Sequence, residues 1–388
     1  MIYLDNNATT AVDPKVVESM LPFLHEQFYN PSSGYRAAKA VKKALTTARE
    51  QVAALINAHP DEIIFTSCGT ESNNTALKSL ARLVGRKNSR VLTSNIEHSA
   101  VLRPIEAMDA VGFDTHRIGV DAEGRFDLDN LRQAILPNTS HFASLMWANN
   151  ETGVIQPMAE VVQILKENSV AIHTDAIQAV GKAPVNVREI PVDLLSISGH
   201  KLHAPKGVGA LYRREGFRLE PLLRGGGQEG GYRSGTENIP YIVGLGKAAE
   251  LAAETDQQTI ASLRDHLETR LTKEIEGITL NGSRKHRSAN ICHASFKDCE
   301  GAGLLILLDE AGVQVSTGSA CMTGKQQPSH VQKAMGIDDA QAKSSLRISL
   351  SRTTTREDID QATDAIAKAV LKLRSVQSSL TGPVQIYQ

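Results

Sequence analysis

Lys201 ends the run Ser196-Ile197-Ser198-Gly199-His200-Lys201, just past a short apolar stretch at residues 192–198 bounded by Pro191 and Gly199. Such a stretch reads as a buried strand, and a lysine just beyond its end has an amine that desolvation can hold partly neutral, as Schiff-base chemistry needs. Four further strand ends carry polar groups. Residues 62–66 form a strand that opens through Ser67-Cys68-Gly69-Thr70 into a helix, so Gly69 and Thr70 are either an ordinary helix start or a phosphate site at the positive end of the helix dipole. Residues 90–94 deliver His98, and residues 142–148 deliver Asn149-Asn150-Glu151-Thr152-Gly153. Residues 170–175 end in Asp175, followed by Gln178. An anion site, a carboxylate for a ring nitrogen, a donor for a ring hydroxyl and a lysine for an aldehyde are what pyridoxal phosphate requires, and Gly69-Thr70, Asp175, Gln178 and Lys201 supply them.

The elements that position these groups alternate strand and helix. Amphipathic helices are expected from Asp13-Pro14 to Leu21 and over residues 36–56, with a further helix at 158–166, which predicts an α/β fold with a doubly wound, mostly parallel sheet. Ligands of such sheets bind at the carboxyl ends of the strands. No Gly-x-Gly-x-x-Gly follows the first strand, which disfavours a dinucleotide fold. The glycine-rich run from Arg224 to Thr236 is either a surface loop or backbone that approaches a ligand. Beyond a helix at 239–254 the pattern changes to charged helices at 256–276 and 356–374 alternating with short strands, a smaller α+β unit. The expected division is a large domain at 13–255 and a small domain at 1–12 and 256–388.

Composition limits the functions. A net charge of -1 argues against nucleic acid and anionic membrane surfaces and favours a small-molecule substrate. The sequence shows no secretory leader and no membrane-length apolar run, which predicts a cytoplasmic protein. The four cysteines, Cys68, Cys292, Cys299 and Cys321, lack disulfide-framework and metal-ligand spacing, so no metal site is expected. Cys321 lies in a Gly- and Ser-rich segment without periodicity, the setting of a reactive thiol, whereas Cys292 in an apolar strand reads as an inert core thiol.

Tyr3-Leu4-Asp5-Asn6-Asn7-Ala8-Thr9-Thr10, Phe65-Thr66-Ser67-Cys68-Gly69-Thr70-Glu71-Ser72-Asn73, Asn149-Asn150-Glu151-Thr152-Gly153, Ser198-Gly199-His200-Lys201, Arg233-Ser234-Gly235-Thr236-Glu237-Asn238 and Gly318-Ser319-Ala320-Cys321 occur in one order along the chain. In that order the sequence resembles the pyridoxal-phosphate-dependent cysteine desulfurases of the NifS and IscS type, in the class V aminotransferase superfamily, over nearly its whole length. The resemblance implies Lys201 as the lysine joined to the aldehyde, Asp175 on the pyridine nitrogen, Gln178 at the ring hydroxyl with Asn150 nearby, and His98 stacked on the ring. It implies phosphate binding by Gly69, Thr70, Ser198 and His200, with Thr236 reaching the phosphate from the other subunit of a homodimer. Arg347 matches the arginine that grips the carboxylate of L-cysteine, and bidentate geometry suits Arg there. Cys321 would receive the sulfur as a persulfide and pass it to acceptor proteins such as an iron–sulfur scaffold, on a loop like that of the long-loop subgroup. A selenocysteine lyase or another class V enzyme is the nearest rival, and a non-catalytic scaffold the rival of another class. The chain departs from the family pattern at Gly34-Tyr35-Arg36, at Met322-Thr323 after the cysteine, and at Ser351.

Overall fold

The structure, a computed structural model, describes residues 1–317 and 328–380. The chain opens with strand β1 (Ile2–Tyr3). Seven strands then build the central sheet: β2 (Ile63–Thr66), β3 (Ser89–Ser94), β4 (Asp114–Ile118), β5 (Ser140–Ser144), β6 (Ala171–Asp175), β7 (Leu194–Ser198) and β8 (Gly209–Arg213). Their order is β2-β8-β7-β6-β5-β3-β4. The pairs from β7 to β4 are parallel, and β8 runs antiparallel to both of its neighbours. The strand β2 therefore points the same way as β7, so β2, β3, β5, β6 and β7 all end on one edge.

Central strands buried on both faces must be apolar or small throughout, and every residue of β7 is buried. The helix Arg36–Leu55 buries Val41, Leu45, Ala48 and Val52 along one stripe. It meets helix Ile239–Ala253 where a Cβ on Gly246 would stand 2.6 Å from Ala48 Cα, so glycine is what lets the two helices touch. The ladder of β5 ends at Ser144 rather than continuing to residue 148. Past it the chain stays pinned to β6 by alternate bonds, from Leu145 N to the His173 carbonyl (3.2 Å) and from Trp147 N to the Asp175 carbonyl (3.0 Å), so Asn149 is still carried to the same edge.

The remaining strands are β9 (Ile278–Leu280), β10 (Ile291–Phe296), β11 (Val313–Gln314) and β12 (Ser345–Ser349). They form an antiparallel sheet β12-β10-β9 and a short parallel pair β1-β11. A separate apolar cluster, including Leu4, Phe296, Ile348, Ile359 and Ile366, packs between these strands and helices Gln257–Glu274 and Arg356–Leu380. The N-terminal arm joins this second layer, with Asp5 bridging Ser349. Among the described residues no helix is long and apolar enough to cross a membrane.

Candidate active site

Lys201 ends a single 3-10 turn, Gly199–Lys201, that follows β7 directly. Its amine donates to the carbonyl oxygens of Asn7 and, at 2.7 Å, of Ala8. Desolvation, then the charge of Arg347, lowers its pKa to about 8, with Asp5 and Asp175 pulling the other way. The amine thus loses its proton near neutral pH, as a lysine that attacks a carbonyl must.

Asp175 is the last residue of β6 and is buried. Its two oxygens accept from Asn73 Nδ2 at 2.7 Å and from Ile177 N at 3.0 Å. The partner comes from helix Gly69–Val84, the same helix whose first turn is the anion-site candidate. Asn73 went unread in the sequence, although its place one turn beyond Gly69 puts it on the face that looks into the sheet edge. Cys68 caps this helix through its sulfur, which accepts from Glu71 N at 3.4 Å. The amides of Gly69 and Thr70 have no acceptor among the described residues. A Cβ on Gly69 would overlap Ile177 Cδ1 and stand 3.2 Å from Ser198 Cβ, so the helix start is pressed between the ends of β6 and β7. Exposed Thr70 and buried Ser198 flank that point.

His200 is held by the N-terminal arm, with Nδ1 3.1 Å from Thr9 Oγ1. Burial, then Lys201, Lys206 and Lys182, pushes its pKa down to about 4, so it is a neutral partner for an anion. His98 caps helix Ser99–Ala110, with Nδ1 accepting from Ala100 N at 3.1 Å. That contact fixes the neutral tautomer with its proton on Nε2. The ring is open to solvent yet recessed among protein atoms, and desolvation keeps its pKa below the ordinary value against the pull of Asp175, with Lys201 and His330 adding to the lowering.

Arg347 lies buried in β12, with Nη1 on the carbonyl of Asn150 (3.1 Å) and Nη2 on Asp5 Oδ1 (2.7 Å). Its Nε is buried without a partner. Asn150 meets the site through this backbone carbonyl, which also accepts from Asn7 Nδ2 at 3.2 Å. Asn7 is the hub that sequence reading missed. Its carbonyl also accepts from Gln178 Nε2 (3.1 Å), and its Oδ1 accepts from Asn290 Nδ2 (3.0 Å) and Lys182 Nζ (3.3 Å). The only sequence signal for it is a run of small polar residues in an extended arm.

One expected group shows no hydrogen bond to this edge among the described residues, and another lies outside them. Thr236 is exposed and makes no hydrogen bond among the described residues. Cys321 lies outside the described residues, together with the Gly318-Ser319-Ala320 part of its motif. The chain on both sides of that segment is described. Ser316 pairs with Arg347 itself, N to O at 3.2 Å and O to N at 2.7 Å. On the other side Ser329 donates to Glu151, and His330 Nε2 lies 2.9 Å from the carbonyl of Glu97. Of the other thiols, Cys292 is fully buried and its pKa is driven well up by desolvation, Cys299 is buried, and Cys68 is taken up by its cap.

These residues fit pyridoxal phosphate on their own geometry. Unfilled helix-start amides meet β7 at Ser198, a fixed carboxylate sits on the next strand, and a lysine with a low pKa stands beyond them. The aminotransferase class-V family model matches residues 2–362. A cysteine desulfurase of Gluconacetobacter diazotrophicus is 47% identical over 380 residues, 97% of this chain and 94% of its own. Cysteine desulfurase NifS of Azotobacter vinelandii is 43% identical over 390 residues, covering 99% and 96%. A solved NifS-like protein superposes with a TM-score of 0.88 at 36% identity, over 97% of this chain and 99% of that one.

Proposed function

The chain belongs to the class-V aminotransferase family, and from that premise we propose how its residues carry out the cysteine desulfurase reaction. The activity is pyridoxal-phosphate-dependent: L-cysteine is the substrate, L-alanine the product, and sulfur goes on to an acceptor. When bound, the cofactor supplies an aldehyde for the substrate amine and a ring that takes up electrons as bonds at Cα open.

Gly69, Thr70, Ser198 and His200 would hold the phosphate, and Asp175, braced by Asn73, would keep the ring nitrogen protonated. Gln178 would donate to the ring hydroxyl, with Asn150 nearby, and His98 would cover the ring face with Nε2 free to move a proton. Lys201 would hold the aldehyde of the cofactor, and its amine, with a pKa of about 8, is suited to moving the Cα proton of the substrate. Arg347 takes the substrate carboxylate through the nitrogen that now lacks a partner, Nε, and through Nη2 once Asp5 yields. Cys321 accepts the sulfur as a persulfide.

The observation that carries this reading is the pairing of Ser316 with Arg347. Thr317 follows the residue paired with Arg347, and Cys321 lies four positions beyond Thr317 in the sequence, a reach of at most about 14 Å. The described chain resumes at Pro328, and Ser329 next to it is bonded to Glu151 in the turn that presents Asn150. We assign residues 13–255 to one domain and 1–12 with 256–388 to the other, a division supported by the apolar cluster that Leu4 of the arm shares with Phe296, Ile348 and Ile366. Acceptor proteins such as an iron–sulfur scaffold would take the sulfur on. The test is Cys321→Ser mixed with L-cysteine. It is expected to bind cofactor and substrate, seen as an unchanged spectral response, and to release no alanine, because a hydroxyl of much higher pKa cannot replace the thiolate. Undiminished alanine release would remove Cys321 from the reaction.

A further inference from the structure

A second lysine enters the site from the turn after β6. Residues 176–183 form successive tight turns, with Val180 N on the Ala176 carbonyl (2.9 Å) and Ala183 N on the Ala179 carbonyl (2.9 Å), so Gln178 and Lys182 stand on one side. Gly181 has φ 72°, and a Cβ there would come 2.6 Å from Leu202 Cδ2. Only glycine lets this turn settle against the residue next to Lys201. From there Lys182 Nζ donates to Gln178 Oε1 at 2.7 Å and to Asn7 Oδ1 at 3.3 Å.

We propose that Lys182 is a positioning residue of the desulfurase reaction, whose amine locks the side-chain amide of Gln178 with its nitrogen towards Lys201 and the ring-hydroxyl position. The inference rests on the reading of Gln178 as donor to that hydroxyl. An amide can be turned end for end with little change in shape, and only its partners choose the orientation. Here both ends are specified. The Asn7 carbonyl accepts one Nε2 proton and also accepts from Lys201, so Nε2 and Lys201 Nζ converge on the same oxygen. The Lys182 amine meets the other end and donates to the oxygen there. One Nε2 proton then remains to be offered to a ligand.

The arrangement is costly, which is why a role is indicated. Lys182 is half-buried, and desolvation followed by the charges of Lys201 and Arg347 holds its amine well below the ordinary lysine pKa. His200 and His203 feel the same cation. Packing alone would be served by an apolar side chain without that repulsion. Asn7 Oδ1 keeps Asn290 as a donor if Lys182 is lost, whereas Gln178 Oε1 has no other donor among the described residues. Removing the amine therefore loosens Gln178 specifically.

The test compares Lys182→Met, Gln178→Met and the double variant as holoenzymes, with kcat/KM for L-cysteine and the pH titration of the bound-cofactor absorbance as readouts. Lys182→Met is expected to lower kcat/KM about tenfold, the worth of one oriented hydrogen bond. It should also move the spectral midpoint upwards, because a donor to the ring oxygen no longer opposes proton binding. In the Gln178→Met background the same change should have less than half its effect. Full additivity, or a Lys182→Met titration that overlays wild type, overturns the role of Lys182. A Gln178→Met enzyme with wild-type titration and turnover instead overturns the assignment of Gln178. Should Lys182→Met fail to fold, a crystal structure of the wild-type holoenzyme decides: Nζ within hydrogen-bond distance of Gln178 Oε1 supports the inference, and a lysine turned away overturns it.

Discussion

Two carboxyl groups lie under the residues that act on substrate, and neither forms an ion pair among the described residues, although the charge of Arg347 partly offsets the burial of Glu151. Glu97 is fully buried, its Oε1 accepts from Ser94 Oγ (2.7 Å) and Met146 N (2.9 Å), and its Oε2 has no partner. Burial pushes its pKa up to about 8, with Asp175 adding to the rise. Glu151, bonded by Ser329, is raised to about 7 for the same reason. Both are protonated at mildly acidic pH, which for Glu97 keeps a second negative charge away from Asp175. The linkage has a definite sign. An acid whose pKa is raised on folding holds its proton in the native state after the unfolded chain has lost it, so stability is intact below the ordinary value near 4.5 and falls as pH rises through the folded pKa. Glu97→Gln, which mimics the neutral acid, is thus expected to match wild type at pH 5 and to exceed it at pH 8 by on the order of 2–4 kcal/mol. Chemical denaturation at the two pH values measures this, and an equal gap at both would show that Glu97 is ionised in the native protein.

At the scale of elements, what the sequence makes legible depends on how each element is buried. The strands that carry the site are central, so their apolar runs stand out, and the groups at their carboxyl ends follow by position. The edge strand β4, Asp-Thr-His-Arg-Ile, is exposed along much of one side and has no such run. Helix Ser99–Ala110 carries Pro104, which reads as a break, and β9 has only three residues. These three were missed for those reasons, and none holds a catalytic side chain except through the cap at His98. The bracing contacts of Asn7, Asn73 and Lys182 were also illegible, because polar residues give no periodicity that says what they face. The helix start at Gly69 shows the reverse case, where the residue type was readable and its physical reason was not. Its φ is ordinary, and what excludes a side chain is the crowding of Ile177 and Ser198. Gly69→Ala should therefore shift the helix start away from β7, costing roughly 1–3 kcal/mol by overpacking and weakening cofactor retention. Cofactor release during dialysis is the measurement, and retention equal to wild type would mean that the phosphate does not sit there.

On the scale of the whole molecule, Thr236 makes no hydrogen bond to the site of its own chain among the described residues. Thr236 ends a glycine-rich run and is exposed, although the family pattern gives it a phosphate to bind. The same chain leaves apolar side chains uncovered around its N-terminal helices and the loop that follows them, with Leu24 55% and Phe28 68% exposed and Leu21 and Tyr35 close to half. Apolar surface of that kind is ordinarily covered by another protein surface. We propose that a second copy covers it and lends Thr236 to the phosphate. A closed two-fold arrangement makes the loan reciprocal, and this gives a test that no single-chain site can pass. Lys201→Ala destroys the site built on its own chain. Thr236→Glu sets a carboxylate against the phosphate of whichever site Thr236 serves. If that site is on the other chain, each mixed dimer contains one site with an intact lysine and an intact threonine, and the other site carries both defects. Refolding the two inactive variants together at equal amounts gives about half mixed dimers, each with one of two sites restored, so activity should return to about a quarter of wild type. If Thr236 served its own chain, every site in the mixture would carry one defect. The mixture would then stay as inactive as its components.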